Sequence, residues 1–380
     1  MNKAIYLFGT FICVGSISIS GPLSAVTVQS SSETNELGDK VLEDEALSFD
    51  FFNKKEKSKQ IRDLFGHANS LTQDHKFNEA IEAYSAVIDL VPNIAFVFQN
   101  RGTAFARSNQ MRSAIADYSR ALQLDPSLIA VHRSLANAYV RNQQPEKAIP
   151  HFQEALTANK SDNTTRLSFA HTLARLKRFP DAIAQYSTVI SIEPENITAL
   201  KNRGIALAKI GKLKGALNDY NELIQITKDD STAYLNRGLV LARLRRYDAS
   251  ITDFDQVIRK EPQKTDAYIN RGASYLRLGA LNKAKQDFLA AIDRKPDSPI
   301  AHLNLGSIYL VQKDLSNALI SLNEALRLDE KFVRALYVRS QIYVKQDKVK
   351  LALNDLISAS NLAPKNREIL RLIKRLRAGE

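Results

Sequence analysis

Pro92, Pro126, Pro194, Pro262, Pro296 and Pro364 are separated by whole multiples of 34 residues. A chain of 380 residues with that regularity is built from one small unit repeated, because an ordinary compact domain imposes no such period. Lys160, Lys228 and Glu330 keep the register where proline is missing. Twelve residues before each of these nine positions stands a small residue: Ala80, Ala114, Ala148, Ala182, Ala216, Ser250, Ala284, Ala318 and Ala352. Eight before stands a bulky one: Tyr84, Tyr118, Phe152, Tyr186, Tyr220, Phe254, Phe288, Leu322 and Leu356. Twenty-four before is small again, as at Gly102, Gly204, Gly238, Gly272 and Gly306. The units run without insertion from Ile61 to Asn366.

Within each unit, apolar residues recur at helical spacing over two segments. A short polar turn such as GKLK (211–214) or GALN (279–282) separates them. The small residues let two helices approach, and the aromatic rings fill the volume that remains. One such hairpin cannot bury its own apolar face, so units must stack and the ends must be capped. After Pro364 the sequence KNREILRLIKRLRAGE predicts a cap, with Ile369, Ile373 and Leu376 on one face and Arg367, Lys374 and Arg375 in water. The third unit is the least regular, because Pro145 and Pro150 flank the start of its second helix and Pro150 removes a backbone donor. The small–aromatic–alanine–aromatic–proline spacing resembles the tetratricopeptide repeat. That resemblance implies an all-α protein, a right-handed α-solenoid (superhelix) of nine helix hairpins over residues 61–366, with a C-terminal capping helix over 367–380.

Numbering each unit from slot 1 at Ile61, Ala95, Ile129 and so on places the recurring proline at slot 32. Successive helix residues turn by about 100°, so slots 4, 7, 8, 11 and 14 share the packed face and slots 2, 6, 9 and 13 the opposite one. Slot 7 should therefore reject charge, yet it is arginine in five units: Arg101, Arg203, Arg237, Arg271 and Arg339. Slot 23, on the second helix, is aspartate in the same five: Asp117, Asp219, Asp253, Asp287 and Asp355. The other units carry His67/Ala83, Leu135/His151, Phe169/Gln185 and Leu305/Ser321. Both slots lie about equally far from the turn near slot 15, so an antiparallel hairpin sets them side by side as structural ion pairs.

The resemblance implies that the first helix of each unit lines a concave groove, with slots 2, 6, 9 and 13 facing it. Slot 6 carries Asn100, Asn202, Asn236, Asn270 and Asn304, and slot 13 carries Arg107, Arg141, Arg175, Lys209, Arg243 and Arg277, with Lys345 later. Carboxamides donate to and accept from an extended peptide backbone without reading its side chains. The row resembles the asparagine ladder of the O-linked N-acetylglucosamine transferase repeat domain, although no transferase domain follows it. Leu235, Ile269 and Leu303 at slot 5 are placed to seat apolar side chains beside the amides. One subclass of the family clamps a C-terminal carboxylate over three consecutive units. That pattern is not reproduced: Asn236 has Ile205 where an asparagine should precede it and Asp266 where a lysine should follow.

The chain has 53 Lys+Arg against 41 Asp+Glu, a net charge of +12, which favours acidic partners. The expectation is a non-enzymatic scaffold that holds extended or helical, acidic segments of other proteins in a basic groove, in assembly, folding or transport. The alternative is an anionic polymer, glycan or nucleic acid, bound by the slot-13 row; the groove slots lack stacking aromatics, which places nucleic acid second. The six histidines are scattered, His132 and His302 occupying aromatic core slots, and the glycines stand singly. No metal, cofactor or small-molecule substrate is therefore expected.

Residues 1–25 resemble an export signal, with MNK as the basic start, an apolar run and Ala25 before the cleavage point. The expectation is export to a periplasm, an organelle lumen or the exterior; the alternative is a membrane anchor formed by residues 4–19. Residues 26–60 are acidic and read as a mostly disordered linker. The one cysteine, Cys13, falls within the signal, so the repeats carry no thiol chemistry. NTT at Asn163 and NIT at Asn196 match the glycosylation pattern of a eukaryotic secretory pathway.

Overall fold

The computed structural model describes residues 55–378. The export signal, the alternative anchor, Cys13 and most of the linker lie outside the described residues. Among the described residues nineteen α-helices follow one another and there is no strand. They are nine successive helix pairs and a final helix in chain order, and they divide into two compact units, with the fifth pair split between them.

The first unit, residues 55–210, holds α1 (Lys55–Gln73), α2 (Phe77–Leu90), α3 (Ala95–Arg107), α4 (Met111–Leu124), α5 (Ile129–Arg141), α6 (Pro145–Ala158), α7 (Asn163–Arg175), α8 (Phe179–Ile192) and α9 (Ile197–Lys209). The second, residues 211–378, holds α10 (Leu213–Thr227), α11 (Ser231–Arg243), α12 (Tyr247–Lys260), α13 (Thr265–Arg277), α14 (Leu281–Arg294), α15 (Pro299–Val311), α16 (Leu315–Leu328), α17 (Val333–Lys345), α18 (Val349–Leu362) and α19 (Arg367–Ala378). Helix α1 starts at Lys55, inside the segment expected to be linker through Gln60. Lysine and glutamate propagate a helix well once IRDLF anchors it to a core, so the helix extends back into the charged run.

Each hairpin turns on one residue at slot 15 in the left-handed region. These are His75, Asn109, Gln143, Lys177, Gly211, Arg245, Gly279, Lys313 and Asp347, with φ between 58° and 81°. Only two are glycine; a side chain there costs roughly 1 kcal/mol. The conformation closes a helix C-cap in return: Gln110 N–H donates to the Phe105 carbonyl (2.8 Å) and Arg246 N–H to that of Leu241 (2.9 Å).

All nine small residues from Ala80 to Ala352 are fully buried, and the nine bulky ones from Tyr84 to Leu356 are at most 2% exposed. The helices of a hairpin approach so closely that a Cβ on Gly238 would stand 2.7 Å from Phe254 Cε1. Helix α6 begins at Pro145, where the missing donor is harmless, and continues through Pro150. At the C-terminus, Ile369 and Ile373 are buried and Leu376 packs on the same core, while Arg367, Lys374 and Arg375 are exposed.

Candidate functional site

Arg271 leaves the packed face of α13 and grips Asp287 of α14 with two parallel bonds, Nε to Oδ2 at 2.9 Å and Nη2 to Oδ1 at 2.6 Å. Its third arm, Nη1, reaches Asp255 Oδ1 at 2.6 Å, and Tyr268 and Tyr275 flank the guanidinium. Burial alone would lower the Arg271 pKa, but the hydrogen bonds to Asp287 and Asp255 outweigh it and hold it above the ordinary value. The geometry repeats in Arg101–Asp117, Arg237–Asp253 and Arg339–Asp355, with each fork bond between 2.7 and 2.9 Å. The fifth couple belongs to two different compact units; within its own unit Arg203 donates to Ser187 Oγ at 3.0 Å, and Asp219 is buried.

The third arm is a partner that the sequence pattern did not disclose. It always goes to slot 25 of the preceding repeat: Ser85, Ser187, Asn221, Asp255 and Asn323 accept from Arg101, Arg203, Arg237, Arg271 and Arg339. Only their shared position ahead of an arginine-bearing unit could have signalled this, because serine, asparagine and aspartate look like ordinary surface residues. The fork therefore joins consecutive repeats as well as the two helices of one hairpin.

The slot-6 asparagines do not form the open ladder expected of them. Asn202, Asn236, Asn270 and Asn304 are buried, at 2 to 8% exposure, and only Asn100 is half-buried. Helical projection puts slot 6 opposite the hairpin partner, but the first helices of neighbouring repeats also pack together and close over it. The amides then turn inward to local acceptors: Asn202 Nδ2 donates to the Thr198 carbonyl (2.9 Å) and Asn270 Nδ2 to that of Asp266 (2.7 Å). Asn202 Nδ2 also meets His171 Nε2 at 2.7 Å, and Asn100 Nδ2 meets Asn69 Oδ1 at 3.4 Å. At slot 5, Ile269 and Leu303 are likewise buried in the core, and Leu235 is half-buried.

The slot-13 cations stay on the surface. Arg107, Arg141, Arg175, Lys209 and Arg243 are exposed and Arg277 is half-buried, each at the last position of its helix. A cation there complements the helix dipole. Arg141 also reaches back one repeat to the Ala106 carbonyl (3.0 Å) and Asn109 Oδ1 (3.3 Å). The two sequon asparagines converge on one carboxylate, with Asn163 Nδ2 at 2.7 Å from Glu193 Oε1 and Asn196 Nδ2 at 2.6 Å from Oε2. Both amides are thereby committed to the junction between α7 and α9, which a glycan would have to break.

Tetratricopeptide repeat models match residues 131–165, 235–299 and 274–331, and a TPR repeat model matches 102–143 and 206–244, together half of the chain. The chain belongs to the tetratricopeptide repeat family. Such repeat arrays are, as a class, typically non-enzymatic protein-interaction scaffolds. No curated protein matches this tetratricopeptide chain significantly. Among solved structures, it is similar to a tetratricopeptide repeat protein from Parabacteroides merdae. The two are 19% identical, the match covers 66% of this chain and 98% of that one, and the TM-score is 0.57. PilW, a type IV pilus biogenesis factor, is similar at 17% identity and TM-score 0.51, over 56% of this chain and 99% of its own. These likenesses are of fold.

Proposed function

We propose that this tetratricopeptide array binds acidic segments of partner proteins along the ends of its first helices. One observation carries the reading: α3, α5, α7 and α9 each end on an exposed cation, Arg107, Arg141, Arg175 and Lys209, so charge recurs once per repeat. An extended acidic segment crossing successive repeats meets a cation at each of them. The asparagines set the spacing of the helices beneath this surface rather than touching the partner. Export through the N-terminal segment is part of the proposal, and intact mass of the native protein tests it, since retention of residues 1–25 in a membrane fraction would favour the anchor.

The binding test is a titration of a glutamate-rich peptide against the chain and against the triple variant Arg107→Gln, Arg141→Gln, Arg175→Gln. The affinity should fall at least tenfold in the variant at low salt, and the wild-type affinity should weaken as salt shortens the ~8 Å Debye length of physiological buffer. Equal affinities would refute the surface. Tight binding of heparin with no binding of the peptide would favour the anionic-polymer alternative.

A further inference from the structure

A cavity of about 310 Å³ lies among α10, α11 and α12 of the second unit, lined by Leu217, Ala249, the buried Leu241 and the fork arginine Arg237. The seventh hairpin shows what stands at the matching slots elsewhere. At slot 11 it has Tyr275, whose ring centroid is 6.0 Å from the Arg271 guanidinium carbon, and at slot 19 Lys283, whose Nζ is 5.4 Å from that ring. The second hairpin also has a ring at slot 11, Phe105, 5.7 Å from the Arg101 guanidinium carbon. The sixth hairpin has Leu241 at slot 11 and Ala249 at slot 19, so two short side chains leave room beside Arg237 where its neighbour keeps a ring and a cation. We infer that this cavity receives an aromatic side chain of a partner protein, a phenylalanine or tyrosine with a carboxylate on the adjoining residue.

The guanidinium is prepared for such a guest. Its edges are committed, Nε and Nη2 to Asp253 at 2.9 and 2.7 Å and Nη1 to Asn221 Oδ1 at 3.0 Å. Hydrogen bonding in the plane leaves the faces of a guanidinium for stacking, and Tyr234, 5.5 Å from the carbon, is its ring partner from slot 4. An entering ring takes the place that Tyr275 holds beside Arg271, and Leu217, Leu241 and Ala249 supply apolar walls around it. An aromatic anchor in a preformed pocket is a common centre of binding energy in protein interfaces.

Charge selects the adjoining residue. The third arm of the sixth fork ends on the neutral Asn221 where the seventh ends on Asp255. The exposed Arg246 lines the cavity at slot 16, where the seventh hairpin has Ala280. The sixth site thus sets two arginines against the single carboxylate of Asp253, and a carboxylate beside the entering ring restores the balance. These residues are distinct from the cations that end α3, α5, α7 and α9.

The test is a titration of the hexapeptide GSFDSG, with para-fluorophenylalanine as its aromatic residue, against the full-length chain by fluorine NMR, which reads weak as well as tight binding. A saturable shift with one site per chain is expected. Leu241→Tyr/Ala249→Lys copies the pair that the seventh hairpin already folds with, and should lower the affinity about tenfold by filling the cavity. Arg246→Gln should lower it about threefold, and only for the peptide whose aspartate is kept. The reciprocal change Tyr275→Leu/Lys283→Ala should open a second, weaker site. An excess of glutamate-rich peptide should leave the probe in place, which separates this site from the cation row. Absence of a saturable shift, equal affinities of the filled variant and the wild type, or displacement of the probe by the glutamate-rich peptide overturns the proposal.

Discussion

In the seventh hairpin slots 7 and 23 hold Arg271 and Asp287; in the third the same slots hold Leu135 and His151. Arg271 is joined to three carboxylate oxygens, one of them on the preceding repeat, whereas Leu135 is buried to 1% exposure and His151 bonds only to His132 in the same hairpin. One backbone thus accommodates an ionic and an apolar solution at the same place. The difference is one of coupling. The fork makes the seventh repeat depend on the sixth through the packed-face contact of Arg271 with Asp255, whereas the third hairpin reaches the second from its exposed helix end, through Arg141.

The largest expected effect breaks the fork. Arg271→Ala leaves Asp287, 4% exposed, without its counter-charge and should cost about 3 kcal/mol in urea unfolding. Replacing both residues as Arg271→Leu and Asp287→Ser copies the Leu305/Ser321 solution of the eighth hairpin, and should cost no more than about 1 kcal/mol. A single variant that unfolds like the wild type would remove the fork from the account of stability.

Backbone approach offers the next comparison. Gly238→Ala drives a Cβ into Phe254, which is fully buried, and should lose about 2 kcal/mol. The third hairpin has Ala136 at that slot against Phe152, so Ala136→Gly there should lose no more than about 1 kcal/mol through helix propensity. Equal losses in thermal unfolding would mean that the two hairpins close to the same distance.

Acid should act on the repeat that follows the third. Burial lowers the His171 pKa from 6.5 to about 4, so the unfolded chain takes up a proton that the folded chain refuses. The associated stability is intact above pH 6.5 and is lost as pH falls toward 4, by about 2 kcal/mol at pH 5. His171→Leu should flatten the pH dependence of unfolding over that window; an unchanged slope would assign it to other groups.

The smallest effect has the opposite sign. Tyr84 donates to Asn69 Oδ1 (2.6 Å) and Tyr118 to Thr103 Oγ1 (3.1 Å), both partners being slot-9 residues of the same hairpin. In the fourth hairpin slot 9 is His171, which meets the edge of the Tyr186 ring instead, and the buried Tyr186 hydroxyl has no hydrogen-bond partner. Tyr186→Phe should therefore be neutral or stabilising by up to about 1 kcal/mol, whereas Tyr84→Phe should destabilise. Melting temperatures that move in the same direction would contradict this.

The hairpins, their phase and the terminal cap were legible in the sequence because a 34-residue period samples each structural slot nine times. Four of the slot-7 and slot-23 couples, those within one compact unit, were legible for the same reason, since charge on a packed face, matched unit by unit, leaves little choice of partner. Helical projection describes one helix at a time, so it could not show what the neighbouring repeat covers. For that reason the asparagine row looked open and is buried, and Ile269 and Leu303 looked like groove residues and belong to the core. The third arm of each fork and the pairing of His132 with His151 are contacts between side chains on different helices. Their partners are set by how closely the helices pack, and packing distance is a property of the tertiary structure that no single-helix period contains.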